Sequence, residues 1–357
     1  MRAVPYLIGF IVPLTVLVSA RFGGYLSFVT PLVFFLLTPI LDELLPRAEH
    51  NLSEEEERSA QRNQLYDWVI RAWFPVQICA MIYATWRLST VDFMWYESVG
   101  IVLSTGILGG TGINVAHELM HRRNKLDRAL AELLTWSVTY THFCVEHIYG
   151  HHKKVATPDD PASARFNESV YTFVPRSLLG GFLSFWQIES QLVSRKRTRT
   201  KWYEDRRVRY VLEWLTGFSC IGLCFGWVGV LTWLLIGIIA ATMLEIVNYV
   251  EHYGLERAET SLGKYERVKP HHSWSSTHRI TGWLLFGLPR HADHHFLASR
   301  PYSILRNHAD TPQLPAGYAT MFLLALVPPL WFGVMNPRVN EVRRSDVQAM
   351  RAQTATV

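Results

Sequence analysis

Six apolar stretches, at residues 4–20, 25–41, 66–86, 93–116, 211–228 and 231–249, leave this chain few ways to fold. A helix rises about 1.5 Å per residue, so most of them reach across the ~30 Å hydrocarbon core of a bilayer, the two shortest with help from their flanks or from local thinning. With 49% of its 357 residues hydrophobic, the chain is apolar for its size. The expected fold class is all-α, a polytopic membrane protein with six transmembrane helices. One domain over residues 1–337 carries them, and a polar, mobile tail follows over 338–357. A cleaved leader is the competing reading of residues 4–20, which follow Met1-Arg2 and end in Val18-Ser19-Ala20.

The short links at 21–24 and 87–92 fit only hairpins between helices, so the polar stretches at 42–64, 122–209 and 251–317 share one face. That face holds most of the Lys and Arg residues, which makes it cytoplasmic by the positive-inside rule, in a bacterial-type inner membrane. Within it, residues 131–150 read as a helix returning toward the membrane and 178–192 as an amphipathic surface helix. Residues 318–335, interrupted by Pro328-Pro329, read as an interfacial or re-entrant segment. The net charge of +5 does not indicate nucleic acid, because the basic run at 195–209 lies beside apolar segments. It reads as a loop near anionic lipid, with docking of an acidic protein as the functional alternative. The four cysteines form no CxxC pair, so sulfur is not the metal ligand.

Imidazole is. Three clusters, His117-Glu118-Leu119-Met120-His121, His147-Ile148-Tyr149-Gly150-His151-His152 and His291-Ala292-Asp293-His294-His295, fall on the polar face. Four-residue spacing puts His117 and His121 on one side of a helix, within reach of one ion. Taken alone, that HExxH reads as a zinc protease, but this chain offers many more ligands. His147 and His151 repeat the spacing, while His152 is turned by about 100° and suits a second ion. His291 stands three residues from His294 and four from His295, so a dinuclear site is the simplest reading. His252 joins it at the end of the sixth apolar stretch, with Asn248 one turn earlier placed to hold a metal-bound water. Glu118, Glu146, Glu251 and Asp293 each neighbour a candidate ligand and are placed to orient imidazole N–H groups. His271 and His272 read as support for the ligands, a substrate gate or surface residues; His142 and His278 as structural; His50 and His308 as exposed. An all-imidazole site accepts Fe, Cu, Zn or Ni, and so many neutral ligands suit a redox-active pair that binds O2, which favours two irons.

The motifs HELMHRR from His117, EHIYGHHKKVATPDDPAS from Glu146, NYVEHYGL from Asn248 and LPRHADHHFLASRPY from Leu288 resemble those of the integral-membrane di-iron alkane 1-monooxygenases. That family is related to xylene monooxygenase and, more distantly, to fatty-acid desaturases. The last block resembles the family's QRHSDHHAHPTRRY pattern, with Pro289 where glutamine is usual and 296–299 in place of AHPT. The resemblance implies six membrane helices, O2 as oxidant, two irons, and nine ligands: His117, His121, His147, His151, His152, His252, His291, His294 and His295. It further implies hydroxylation of medium-chain n-alkanes to 1-alkanols with electrons from rubredoxin and its reductase. Rubredoxin needs CxxC-type pairs, so it lies outside this chain. By the same resemblance, Phe34 stands where the family carries a bulky residue that limits how deep an alkane extends. Hydroxylation of aryl methyl groups or acyl chains is the near alternative. An intramembrane zinc protease and a non-catalytic metal carrier are the distant ones.

Overall fold

The computed structural model describes residues 3–196 and 201–354. Helices dominate it, and among the described residues four segments are long and apolar enough to cross a membrane: Val4–Phe22, Gly24–Leu44, Trp95–Met120 and Arg206–His252. The last holds two of the expected spans in one kinked element, since Gly226 interrupts it at φ 64°. Left-handed backbone of that kind is open to glycine without steric cost. The stretch expected to span at 66–86 is also helical, Leu65–Thr90, but carries Asp67, Arg71, Gln77 and Arg87.

Trp95–Met120 is the axis of the molecule, buried along nearly its whole length. Small residues let it come close to its neighbours: a Cβ on Gly106 would fall 2.4 Å from Ile239, and one on Gly109 would fall 2.8 Å from Val138. A larger residue at Gly106 would push against the Arg206–His252 helix that ends on His252, and one at Gly109 against the turn at Val138 as well.

Two expectations for the large polar loop are revised. The returning helix at 131–150 is split, because Lys125–Trp136 ends in a turn where Thr139 takes φ 59° and Tyr140 N–H reaches back to the Thr135 carbonyl at 2.8 Å. Helical structure resumes at Phe143–Glu146. The surface helix at 178–192 is part of a longer one, Val170–Ser194, whose Leu179, Leu183 and Trp186 are exposed along one stripe. Beyond Pro328 a helix runs through Thr354, into the segment read as a polar tail. A small hairpin, Glu259–Ser261 with Lys264–Tyr265, is the one two-stranded sheet among the described residues.

Candidate metal centre

Four separate helical segments end at one place. Trp95–Met120 delivers His117 and, at its cap, His121; Arg206–His252 ends on His252; His291–Phe296 carries three imidazoles; and the 143–154 segment carries His147, His151 and His152. Their ring nitrogens form two groups, His117, His121, His147, His152 and His294 in one, and His151, His252, His291 and His295 in the other. Within each group the ligand atoms lie within 4.8 Å of one another. All nine sequence candidates are thereby brought together.

Spacing alone does not give this partition. His147–His151 is a turn of π-helix, with about one more residue per turn than an α-helix, so His147 meets His152, five residues on, with their Nε2 atoms 3.0 Å apart. His151 instead faces the other group, its Nε2 lying 3.2 Å from that of His295. His291 and His295, four apart on an α-helix, stay together with ring centroids at 4.5 Å, while His294 crosses to His152 with Nε2 atoms 3.1 Å apart. Each vicinal pair is divided between the two groups.

The groups fit metal ions. Nε2 of His117 and of His121 is buried without a protein partner. Nε2 atoms also face one another at 3.1 Å in His252 and His291. Metal–nitrogen bonds of ~2.1 Å at 90–109° would set neighbouring ligand nitrogens ~3.0–3.4 Å apart. Burial, and then the charge of neighbouring imidazoles, holds His147, His152, His291, His294 and His295 well below the ordinary imidazole range. They are therefore neutral and offer lone pairs, the state a cation requires.

The carboxylates behave less uniformly than sequence suggests. Glu251 does meet a candidate ligand, its Oε1 lying 3.2 Å from Nδ1 of His291 while accepting the Tyr318 hydroxyl at 2.9 Å. Glu118 instead accepts from Arg122 at 3.1 Å, and Glu146 accepts from Ser184 at 3.1 Å. Asp293 turns away from the imidazoles beside it, accepting from Arg300 at 2.6 Å, Arg306 N–H at 2.8 Å and His308 Nε2 at 2.7 Å. It is a clamp for the following loop, and His308, expected to be exposed, is half-buried in that clamp. Glu57 on the Glu54–Arg62 helix closes the same loop from outside by pairing with Arg306 at 2.7 Å.

Asp160 is the carboxylate the sequence reading missed. Fully buried, it lies 2.9 Å from Nδ1 of His151 and accepts from Ser163 at 2.6 Å. The only signal was its place in Thr157-Pro158-Asp159-Asp160-Pro161, where nothing tells the buried acid from the exposed Asp159.

His271 and His272 lie apart from the nine, grouped with Glu266. Nδ1 of His272 accepts from Lys269 N–H at 3.0 Å, which leaves the proton on Nε2, 3.3 Å from Glu266. Lys269 Nζ also sits 2.5 Å from Glu266. The tautomer and the ammonium together tie up His272 and Glu266, and the cluster stays separate from the nine imidazoles.

An apolar cavity of about 670 Å³, including its mouth, reaches the centre from the helix side. Phe34, Met243, Leu285 and Phe322 wall it; His117, His147 and His291 close its end, and Asn248 lines it too. Phe34 lies on a second π-turn, Val33–Leu37.

The chain matches the fatty acid desaturase family over residues 94–325, a stretch that contains all nine imidazoles. It is 39% identical to alkane 1-monooxygenase 2 of Alcanivorax borkumensis, covering 92% of this chain and 87% of that one. Alkane 1-monooxygenase 2 of Pseudomonas aeruginosa is 41% identical over 86% of this chain and 82% of its own. The xylene/toluene monooxygenase hydroxylase component of Pseudomonas putida is 30% identical over 67% and 63%. With its nine imidazoles in two facing groups at the end of an apolar cavity, the chain belongs to the alkane 1-monooxygenases, oxidoreductases of the fatty acid desaturase superfamily.

Proposed function

We propose that this chain hydroxylates the terminal methyl of medium-chain n-alkanes to 1-alkanols, using O2 and electrons from rubredoxin, which rubredoxin reductase re-reduces. One observation carries the reading: the apolar cavity ends on imidazoles of both groups, so a chain lying in it presents its terminus to both ions at once. The nine histidines would hold two irons, which supply the O2-activating chemistry when bound. Phe34, Met243, Leu285 and Phe322 exclude water and hold the alkane lengthwise, which restricts reaction to its end. Of the nine, His121 and His152 are partly exposed, and neither lines the cavity. Electrons from the donor enter at that edge, on the side away from the hydrocarbon.

Six transmembrane helices, with the metal centre on the cytoplasmic side of a bacterial inner membrane, complete the proposal. Leu65–Thr90 and the two limbs of the Gly226-kinked helix supply the spans beyond Val4–Phe22, Gly24–Leu44 and Trp95–Met120. The basic run is a weaker dock for rubredoxin than its charge suggests. Arg206 pairs with Glu189, Arg207 with Asp205 and Arg209 with Glu132. Residues 197–200 lie outside the described residues.

The test is metal analysis and product formation by purified protein with rubredoxin, its reductase, NADH and octane. Two irons per chain and 1-octanol are expected; one zinc and no O2-dependent product would overturn the reading. The kinship with the xylene/toluene enzyme favours aryl methyl hydroxylation as the second reading, which xylene in the same assay separates. Phe34→Ala should favour longer alkanes, since each added buried methylene is worth about 0.8 kcal/mol. Competition between alkanes of graded length measures this, and an unchanged product profile would remove Phe34 from length selection.

A further inference from the structure

Alkane hydroxylation needs more than hydrocarbon, O2 and electrons. The alkane's own hydrogen ends on the alcohol oxygen. The second oxygen leaves as water, taking two electrons from the donor protein and two protons from solvent. Phe34, Met243, Leu285 and Phe322 make the apolar cavity a poor path for protons even with Glu251 and Tyr318 at its end, the more so when alkane fills it.

A second cavity reaches the imidazoles from another direction, about 310 Å³ including its mouth, and its lining is far more polar than the first: Tyr140, His142, Glu146, Ser177, Glu245 and Asn248 stand beside Phe143, Pro161 and Ala162. It ends on His147 and His151, one from each group, and its free interior holds about one water, too little for a hydrocarbon. Glu245 sits at its heart, buried, accepting from the Tyr140 hydroxyl at 2.8 Å, from Asn248 Nδ2 at 3.3 Å and from the Ser177 hydroxyl. No cation pairs with it among the described residues, and metal binding does not use it. Nearby His142 is buried with Nδ1 lacking any protein partner, the position a water would satisfy. Asn248 lines both cavities and so joins Glu245 to the place where hydrocarbon meets the imidazoles. Pro161 and Gly181, both half-buried, line it too, and a Cβ added at Gly181 would meet nothing within 4 Å.

We propose that this polar cavity carries solvent protons to the metal centre, with Glu245 as the relay between its mouth at Gly181 and Asn248. The proposal rests on O2-dependent hydroxylation being the activity. Nothing else on the cavity's wall combines burial, an ionisable oxygen and a hydrogen-bonded link to the substrate side at a distance in sequence from every candidate ligand.

Two measurements test it. Gly181→Cys in the intact, metal-loaded protein should react with a charged, water-soluble thiol reagent well above the wild-type background. No reaction above background means that water does not reach the mouth, and the proposal falls whatever the enzyme's activity. Glu245→Gln keeps the shape and most hydrogen bonds but removes the exchangeable proton. It should retain iron and thermal stability while forming roughly tenfold less alkanol per O2 consumed, with peroxide released instead and a larger solvent isotope effect. Glu245→Asp should restore part of the coupling, and Gly181→Leu, which fills the mouth without touching a ligand, should reproduce the loss. Loss of iron or stability in Glu245→Gln with coupling intact would make Glu245 a structural tie. Full coupling in both Glu245→Gln and Gly181→Leu would send the protons through the exposed edge at His121 and His152. If wild-type protein makes no alkanol at all, the functional reading fails while the labelling result stands.

Discussion

Of the two groups of imidazoles, the four around His252 are closed in on every side, whereas the five around His117 reach the surface at His121 and His152. The closed group has oxygen beside it: Asp160 hydrogen-bonded to His151, Glu251 within 3.2 Å of His291 Nδ1, and Ser273 at 3.4 Å from His252 Nδ1. No carboxylate contacts an imidazole of the open group among the described residues. Carboxylate backing fixes the tautomer, raises ligand basicity and brings negative charge toward a cation. The closed group is therefore built for retention, and the open group for access, with more ligands making up for the missing charge.

The harshest way to break the comparison is to delete a ligand from each side. His291→Ala and His152→Ala should both abolish activity, but His291→Ala should also empty the closed group. Iron content and Mössbauer spectra of the two variants would show it, and identical residual signals would mean that the groups do not differ. Asp160→Asn comes next. It keeps the side chain's size, and loss of carboxylate backing costs about 10–100-fold in metal affinity, confined to the closed group. Iron per chain should fall toward one, measured at limiting iron. Chelation of intact protein should remove iron in two phases, the faster from the open group; a single phase would refute the distinction. The smallest effect is expected from His271→Ala, which packs on His272 outside both groups of imidazoles, so iron content should stay within error of wild type.

The imidazoles themselves were legible because four-residue spacing and vicinal pairs are written directly in the chain. Their division was not. It depends on a π-turn at His147–His151, and five-residue spacing carries no signal when an α-helix is assumed. Asp160 and Glu245 were hidden for a related reason, since a buried acid and an exposed one look alike until the fold supplies partners. Asp293 misled in the opposite sense: adjacency along the chain suggested an imidazole partner, but helix geometry points it at Arg300 and His308. The apolar segments were easier, because membrane length is a property of each stretch taken alone. Leu65–Thr90 shows the limit, being helical as expected yet held by buried polar ties such as Gln77 to Ser137 at 3.1 Å and Arg71 to Asp127 at 2.6 Å.

The π-turn also makes two unlike motifs equivalent. In His147-x-x-x-His151-His152 and in His291-x-x-His294-His295, the outer two histidines serve one group and the inner one is lent to the other. The extra residue of the first motif is absorbed in its wider turn. Each helical segment would thus hold its own ion with two hands and its neighbour's with one, so the two ions are joined through the backbone even where one leaves faster than the other.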